Sequence, residues 1–329
     1  MKKIAKLAVV LAASALLFGC NEKSSKAKIG IAKIQQHPAL DAAEKGIIDV
    51  INEAGLDVEF DLQNANADLN TANQIALKYK DENVKVAVGI ATPIAVALAN
   101  TIKKSPVIFA AVTDPVGADL VSTLEHGENN VTGMSDAVPT DLHIELFAEV
   151  TGIKTLGYIY TSSEANSQTS LKLVQDACAK LGLGLVTQAI SSTNEVKQAA
   201  EAIIDRVDGI YLTTDNTVFS ALSGLVQVFG DARKPIFSAD VTGAMTGGCL
   251  LASGFNYYKA GRATGDIIVD ILKNGKKPDE IPVRFMTEPS DSDFLIDLDV
   301  AKNCGITIPS ELLKQANLIF ENGKLRERN

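Results

Sequence analysis

The sequence predicts an α/β fold of two Rossmann-like lobes with parallel sheets, joined by a hinge. Segments with strand and helix patterns alternate along most of the chain, an order that gives parallel sheets with right-handed crossovers. The composition is 46% hydrophobic but only 5% aromatic, as expected for aliphatic strands buried between helices. The same order of elements restarts after Thr140, which indicates two similar lobes.

The first lobe is predicted to begin near Lys28 with alternating strands and helices. Gly55 ends the first helix as a C′ residue, and Pro93 stands where the first turn of a helix tolerates proline. The predicted strands are residues 29–34, 58–62, 84–90 and 106–110, and the predicted helices are 40–54, 71–79 and one that begins near Pro93.

The second lobe repeats this pattern. Residues 88–95 match 210–217, and residues 106–113 match 235–242, in the same order along the chain. Any two Rossmann-like units share some likeness, but two ordered matches favour a duplication. The predicted strands are 156–160, 183–189, 209–212 and 235–238, and the predicted helices are 164–181, 196–204 and 217–229.

The last stretch departs from that rhythm. A helix is predicted at 257–272, followed by strands at 283–287 and 294–298 that cross back between the lobes. We therefore assign residues 28–137 with about 256–286 to the first lobe, and 138–255 with about 287–329 to the second.

The N-terminus has the pattern of an export signal. Three lysines precede an apolar run from 7 to 18 that is too short to span a bilayer, and Gly19-Cys20 follows it. This ending resembles the lipobox of bacterial lipoproteins, which implies cleavage after residue 19 and a lipid on Cys20. An ordinary secretory signal with a chance cysteine is the alternative. Residues 20–27 are then a polar tether.

Charge and cysteine content narrow the class of protein. Without residues 1–19 the chain keeps 28 basic and 40 acidic residues, a net charge of −12. This acidity argues against nucleic-acid binding and suits a soluble extracytoplasmic monomer. Cys178, Cys249 and Cys304 are expected to be buried free thiols, with a Cys249–Cys304 bridge as the alternative.

Candidate ligand-binding residues follow the predicted strands, because open parallel sheets bind ligands beyond the carboxyl ends of their strands. Hydroxyl and amide groups at helix starts suit a carboxylate, and aspartates suit an ammonium group. Each residue alone is equally consistent with an ordinary helix cap. The candidates are Gln36, Thr92, Ala111, Thr113, Ser135, Asp136, Glu164, Asn166, Ser167, Thr214, Asp215, Asn216 and Asp240.

Signatures of catalysis and of cofactor binding are missing from the sequence. No Walker loop, dinucleotide-binding loop or complete nucleophile elbow occurs. The three histidines, His37, His126 and His143, lack metal-ligand spacing. We therefore predict a protein that is not an enzyme and uses neither a cofactor nor a metal.

Several motifs resemble those of ABC-transporter substrate-binding lipoproteins of the tryptophan/tyrosine type, and the resemblance runs from about Lys28 to the C-terminus. The motifs are His37-Pro38-Ala39-Leu40-Asp41, Ala91-Thr92-Pro93, Val112-Thr113-Asp114-Pro115-Val116, Gly133-Met134-Ser135-Asp136 and Thr214-Asp215-Asn216. The resemblance implies a type I periplasmic-binding-protein fold, ligand capture by hinge closure, and delivery to a membrane permease with a cytoplasmic ATPase.

The resemblance also implies roles for particular residues. Thr92 and Thr113 line the first lobe, Ser135 lies near the first crossover, Asn166 and Ser167 hold a carboxylate, and Asp215 with Asp240 holds an ammonium group. An aromatic amino acid is the implied ligand, with Phe109, Tyr160 and Phe219 as stacking or core residues. The alternatives are a ligand-sensing lipoprotein, or a binder of a nucleoside, a sugar or a branched-chain amino acid.

Overall fold

The structure is a computed structural model that describes residues 26–328. Cys20, the predicted signal peptide and nearly all of the predicted tether lie outside the described residues. Among the helices of residues 26–328, none has the length and apolar character needed to cross a bilayer.

The first of two sheets has five strands, in the order β2-β1-β3-β4-β5, and all of its pairs are parallel. Its strands are β1 (Ala27–Lys33), β2 (Val58–Asn64), β3 (Val86–Ile90), β4 (Val107–Val112) and β5 (Val131–Ser135). The helices between them are α1 (Pro38–Glu53), α2 (Leu69–Asp81) and α3 (Thr92–Thr101). Strands β3 and β4 are buried along their whole length, as aliphatic strands covered on both faces should be.

The second sheet has eight strands, in the order β13-β12-β11-β10-β9-β8-β6-β7. Its strands are β6 (Thr155–Thr161), β7 (Gly184–Ile190), β8 (Gly209–Leu212), β9 (Ile236–Ser238), β10 (Leu251–Phe255), β11 (Ser292–Asp297), β12 (Leu318–Glu321) and β13 (Lys324–Glu327). The helices that follow β5 in the chain are α4 (Thr140–Thr151), α5 (Ala165–Leu181), α6 (Val196–Ile203), α7 (Asn216–Ser220), α8 (Leu222–Asp231), α9 (Val241–Ala244), α10 (Tyr257–Asn274), α11 (Leu298–Cys304) and α12 (Ser310–Gln315).

Helix α10 returns to the first sheet and packs closely against α1. A Cβ atom at Gly261 would lie 2.2 Å from the Ala43 carbonyl oxygen, and one at Gly46 would lie 2.2 Å from the Tyr258 carbonyl oxygen. Glycine at both positions therefore lets the two helix backbones touch. This contact fixes the start of α10, and with it Tyr257, relative to the first sheet.

The chain passes between the two sheets three times: between β5 and α4, between β10 and α10, and between Arg284 and β11. The third passage reaches the second sheet at the end of the sheet where β10 finishes. Strand β11 must therefore run antiparallel to β10, as observed. The prediction of parallel sheets thus holds for the first sheet and for β6–β10, while β11–β13 make the second sheet mixed.

Three local predictions are corrected. The expected strand at 283–287 is a single bridge from Met134 to Arg284 beside β5. The expected helix at 217–229 breaks at Ala221 into α7 and α8. Strand β10 was not predicted, because Ser253 and Gly254 weaken its strand pattern.

Candidate functional site

A small cavity, with a volume of about 10 Å³, lies where the carboxyl ends of strands from both sheets face each other. This volume is about that of a single water site, so the lining side chains nearly fill the cavity. Residues from the ends of β1, β3, β4 and β5, together with Tyr257 of α10, line one side, and residues that follow β6, β8 and β9 line the other. They are His37, Leu40, Thr92, Ala111, Thr113, Asp136, Asn166, Thr214, Asp215, Asn216, Phe219, Asp240 and Tyr257.

The structure brings nine of the predicted site residues together in this cavity. They are Thr92, Ala111, Thr113, Asp136, Asn166, Thr214, Asp215, Asn216 and Asp240. Each lies at or just beyond the carboxyl end of a strand or at the start of the next helix, which is the feature that singled them out in the sequence. Phe219, expected as a stacking or core residue, also lines the cavity.

Four predicted site residues do not line the cavity. Gln36 is exposed. The Ser135 hydroxyl donates to the Thr113 carbonyl, and the Ser167 hydroxyl donates to Asp215. The Glu164 carboxylate is buried among groups of the second lobe that donate hydrogen bonds to it, namely Asn166 Nδ2, Asn216 N and Nδ2, and Thr217 N and Oγ1. Ser135, Ser167 and Glu164 therefore use these polar groups in hydrogen bonds within the protein.

Three buried polar atoms of the cavity residues have no hydrogen-bond partner among residues 26–328: His37 Nε2, Thr92 Oγ1 and Asn166 Oδ1. The three side chains are at most 9% exposed. A buried polar atom without a partner costs roughly 1–3 kcal/mol. Because all three belong to residues that line one small cavity, a bound ligand is the natural source of their partners.

The unpaired atoms on the two sides of the cavity differ in hydrogen-bonding type: Asn166 offers an acceptor, whereas His37 can offer a donor. Asn166 donates both amide protons, to Glu164 and to the Thr214 carbonyl, so that Oδ1 remains as an acceptor. This arrangement does not support the role expected from the sequence, because an acceptor oxygen repels a ligand carboxylate. Burial lowers the pKa of His37 to about 4, so the imidazole is neutral at physiological pH and can donate from one nitrogen.

Two helices begin at the first-sheet side of the cavity without a side-chain cap. His37 precedes α1 and Ala91 precedes α3, and neither side chain accepts a hydrogen bond from the helix start. Ala91, with φ of 84° and ψ of 156°, lies in a region that normally requires glycine. Such strain costs about 1–3 kcal/mol and clusters at functional sites. The uncapped N–H groups make this side of the cavity attractive to an anion.

Two buried carboxylates, Asp136 and Asp240, line the cavity from opposite sides. Asp136 accepts from Thr113 Oγ1 and from Tyr257 OH, each at 3.0 Å. Asp240 accepts from the Thr242 N–H at 2.7 Å as the cap of α9. Burial raises the pKa of each carboxyl to about 6. Both retain free acceptor sites, since a carboxylate offers about four.

Asp215 differs from these two acids because the protein already surrounds its carboxylate with donors. Oδ2 accepts from the Thr161 N–H and Ser167 Oγ, and Oδ1 accepts from Thr161 Oγ1 and the Val218 N–H, all within 3.0 Å. The expected role of Asp215 as an ammonium ligand stays a prediction, but Asp136 and Asp240 are better placed for it.

Direct side-chain contacts join the two sides of the cavity. Thr113 Oγ1 and Thr214 Oγ1 are 3.0 Å apart, and Gln35 Nε2 donates to the Asn216 carbonyl oxygen. Phe109 and Tyr160, expected as possible stacking residues, lie elsewhere. Phe109 is fully buried in the first core, and Tyr160 stacks on Tyr158.

Three cavity residues, His37, Leu40 and Tyr257, were not among the predicted site residues, and Tyr257 is the most informative of them. A position just after a strand could have identified Tyr257 as a site residue. Strand β10 was not recognised in the sequence, so Tyr257 was assigned only to the start of a helix. Among residues 26–328 no cluster of His, Cys, Asp and Glu side chains could hold a metal ion. Cys178, Cys249 and Cys304 are free, as expected, although Cys304 is only partly buried.

The fold and this cavity between the two sheets are typical of a binding protein, and comparison with known proteins gives its family. The model of a family described as "ABC transporter substrate binding protein" matches residues 28–319. The chain therefore belongs to the ABC transporter substrate-binding family, whose members are extracytoplasmic binders that do not transform their substrates. The predicted family, fold and absence of enzyme activity are confirmed.

Individual relatives cover most of the chain. A tyrosine-binding protein of Clostridioides difficile (strain R20291) is 34% identical over 290 residues, which are 86% of this chain and 83% of that protein. A crystal structure described as an ABC domain in complex with L-Trp, from Streptococcus pneumonia, is 35% identical, with a TM-score of 0.85 over 90% of this chain and all of that one. A ligand-free, open substrate-binding protein from Clostridium difficile is 34% identical, with a TM-score of 0.65 over 86% of this chain and 96% of that one.

Proposed function

We propose that this chain is an extracytoplasmic solute-binding lipoprotein that captures an aromatic amino acid (tryptophan, phenylalanine or tyrosine) by hinge closure and delivers it to an ABC importer. The observation that carries the proposal is the cavity's combination of two buried carboxylates with three unpaired polar atoms. Similarity to a tyrosine-binding protein and to an L-Trp complex supports the choice of ligand class.

The polar groups favour one orientation of a zwitterionic ligand. Thr92 Oγ1, His37 Nε2 and the uncapped starts of α1 and α3 offer donors, so the ligand carboxylate binds next to these two helix starts. Asp136, Asp240 and Asn166 Oδ1 offer acceptors, so they receive the ammonium group. Leu40, Phe219 and Tyr257 supply the apolar surface for an aromatic side chain.

Hinge closure follows from the position of these groups on both lobes. We take the lobes to be residues 28–137 with about 256–286, and 138–255 with about 287–329. A ligand that touches both lobes binds the closed form more tightly and shifts the equilibrium toward it. The higher TM-score with the L-Trp complex than with the open, ligand-free relative, at similar identity, supports a closed arrangement here.

A thermal-shift screen followed by calorimetry tests the ligand. L-tryptophan, L-tyrosine and L-phenylalanine are compared with L-leucine, a nucleoside and galactose. At least one aromatic amino acid should raise the melting temperature in a concentration-dependent way. Stabilisation by the nucleoside or by galactose, with no response to any amino acid, would show that the proposed ligand class is wrong.

The lipid anchor is tested on the full chain in bacterial cells. Labelling with a palmitate analogue should mark the wild-type protein in the membrane fraction, whereas Cys20→Ser should abolish the label and release the protein. Delivery is tested by uptake of the labelled amino acid: loss of the gene should lower uptake if the chain serves an importer. Uptake that is unchanged while a membrane receptor loses its response would favour the sensing role.

A further inference from the structure

Tyr257 lies at the wall of the cavity, where it links two of the three chain segments that connect the sheets. It is the first residue of α10, directly after the passage from β10, and it is 4% exposed. Its hydroxyl donates to Asp136 Oδ2 at 3.0 Å, and Asp136 begins the passage from β5 to α4. The close packing of α10 on α1 holds the tyrosine backbone in place.

Asp136 needs such a hydrogen-bond donor because its surroundings disfavour the ionised form of its carboxyl group. The cavity also contains the carboxylates of Asp240 and Asp215 and the neutral imidazole of His37. Of the residues between 26 and 328, no lysine or arginine lines this cavity. Arg284, whose backbone bonds to Ser135, directs its guanidinium to the Ala263 carbonyl and to Asp270 instead.

Each carboxylate oxygen of Asp136 therefore depends on a neutral donor: Tyr257 OH on Oδ2 and Thr113 Oγ1 on Oδ1. The Thr113 hydroxyl is shared, since it also lies 3.0 Å from the Thr214 hydroxyl. Within residues 26–328, the Tyr257 hydroxyl makes no hydrogen bond to a side chain other than Asp136. A donor to the charged form of an acid favours that form over the protonated one.

We propose that Tyr257 is a positioning residue of the amino-acid site: its hydroxyl orients Asp136 and keeps it ionised, so that the carboxylate receives the ligand's ammonium group. The inference rests on the proposed function. It assigns Tyr257 a role beyond filling the apolar wall, and it explains why a phenol, rather than a phenylalanine ring, stands at the start of α10.

The test is Tyr257→Phe, which keeps the ring and removes the donor. Its control is Tyr258→Phe, because the neighbouring hydroxyl also donates to a carboxylate, Asp49 Oδ2 at 2.8 Å, but lies outside the cavity. Binding of L-tyrosine and L-tryptophan is measured by calorimetry from pH 5 to pH 9. Tyr257→Phe should weaken binding about ten-fold or more at pH 7, the scale of a hydrogen bond to a charged group.

The pH profile separates positioning from simple packing. The acidic limb of the affinity profile should move to higher pH in Tyr257→Phe and stay in place in Tyr258→Phe. If Tyr257→Phe does not fold, 3-fluorotyrosine at position 257, a stronger donor of the same shape, should move the limb to lower pH instead. If Tyr257→Phe folds and the acidic limb of its affinity profile stays in place, the inference is wrong. Binding of L-tyrosine or L-tryptophan by the wild-type protein would in that case leave the proposed function intact. A wild-type protein that binds neither amino acid overturns both.

Discussion

Replacing Asp240 by asparagine removes one negative charge from the cavity with almost no change in shape. Asparagine keeps an oxygen that can accept from the Thr242 N–H, and it caps helices as well as aspartate does. The substitution should have two opposite effects. It should weaken binding of a ligand with an ammonium group, and it should stabilise the ligand-free protein.

Both magnitudes follow from the environment of Asp240. Loss of a charge-assisted hydrogen bond costs about 1.5–3 kcal/mol, which is about a 10- to 150-fold loss of affinity. Burial raises the Asp240 pKa from 3.8 to about 6. Above pH 6 the ionised carboxylate therefore destabilises the folded protein, by up to about 3 kcal/mol. Asparagine avoids this cost, so the free energy of unfolding should rise at pH 8 and the gain should vanish near pH 4.

The assays are calorimetry with L-tyrosine and L-tryptophan, and urea unfolding of the ligand-free protein. Asp297→Asn is the matched control, because Asp297 is also a buried helix cap of the second lobe, with Val300 and Gly248 N–H groups as donors, but does not line the cavity. An Asp240→Asn protein whose affinity stays within about two-fold of wild type would refute the ammonium role. Unchanged stability at pH 8 would refute the electrostatic cost.

Three further predictions concern pH, helix packing and the lobe contact. Because burial raises the pKa of both cavity carboxyls to about 6, the folded state takes up protons as the pH falls from 7 to 5. The ligand-free protein should then gain stability in urea unfolding while affinity for the amino acid falls in calorimetry. Gly261→Ala should destabilise by about 1–3 kcal/mol, since its Cβ would meet the Ala43 carbonyl. Gly230→Ala, with open space around it, should instead be neutral or stabilising in thermal unfolding. Gln35→Ala, which removes a contact between the lobes, should raise the ligand dissociation rate about five-fold in stopped-flow experiments; an unchanged rate would show that this contact does not hold the closed form.

The sequence was sufficient to predict most of the strand ends that build the cavity. Strands β3 and β8 are short apolar runs, each followed by a hydroxyl residue and a helix start, and these local signals place Thr92 and Thr214 at the carboxyl ends of the first and the second sheet. Such positions depend on chain order and hydrophobic pattern, which a sequence contains. The mixed second sheet was missed because the direction of β11 depends on where the third passage enters, which is a property of the assembled lobes.

The direction of individual side chains was beyond sequence reasoning. Ser167 and Asn166 are neighbours at the start of α5, and both were expected to face a ligand. The Ser167 hydroxyl instead donates to Asp215, while Asn166 leaves only its oxygen unpaired. Which hydroxyl pairs within the protein is decided by long-range contacts, since Asp215 lies 48 residues away along the chain. Tertiary partners, rather than residue type, thus separate supporting residues from binding residues.

The same distinction explains why a ligand should be needed to close the lobes. Closure without one buries three polar atoms, at His37, Thr92 and Asn166, that no group in the described part of the chain satisfies, and it confines the charges of Asp136 and Asp240 in one small cavity. The three atoms alone cost roughly 3–9 kcal/mol, comparable with the roughly 8 kcal/mol of a micromolar complex. A zwitterion supplies donors to the acids and acceptors to the unpaired donors at once. A sugar or an uncharged ring offers no cation to the two acids. The electrostatics of the cavity therefore favour the amino-acid head group whatever side chain the ligand has.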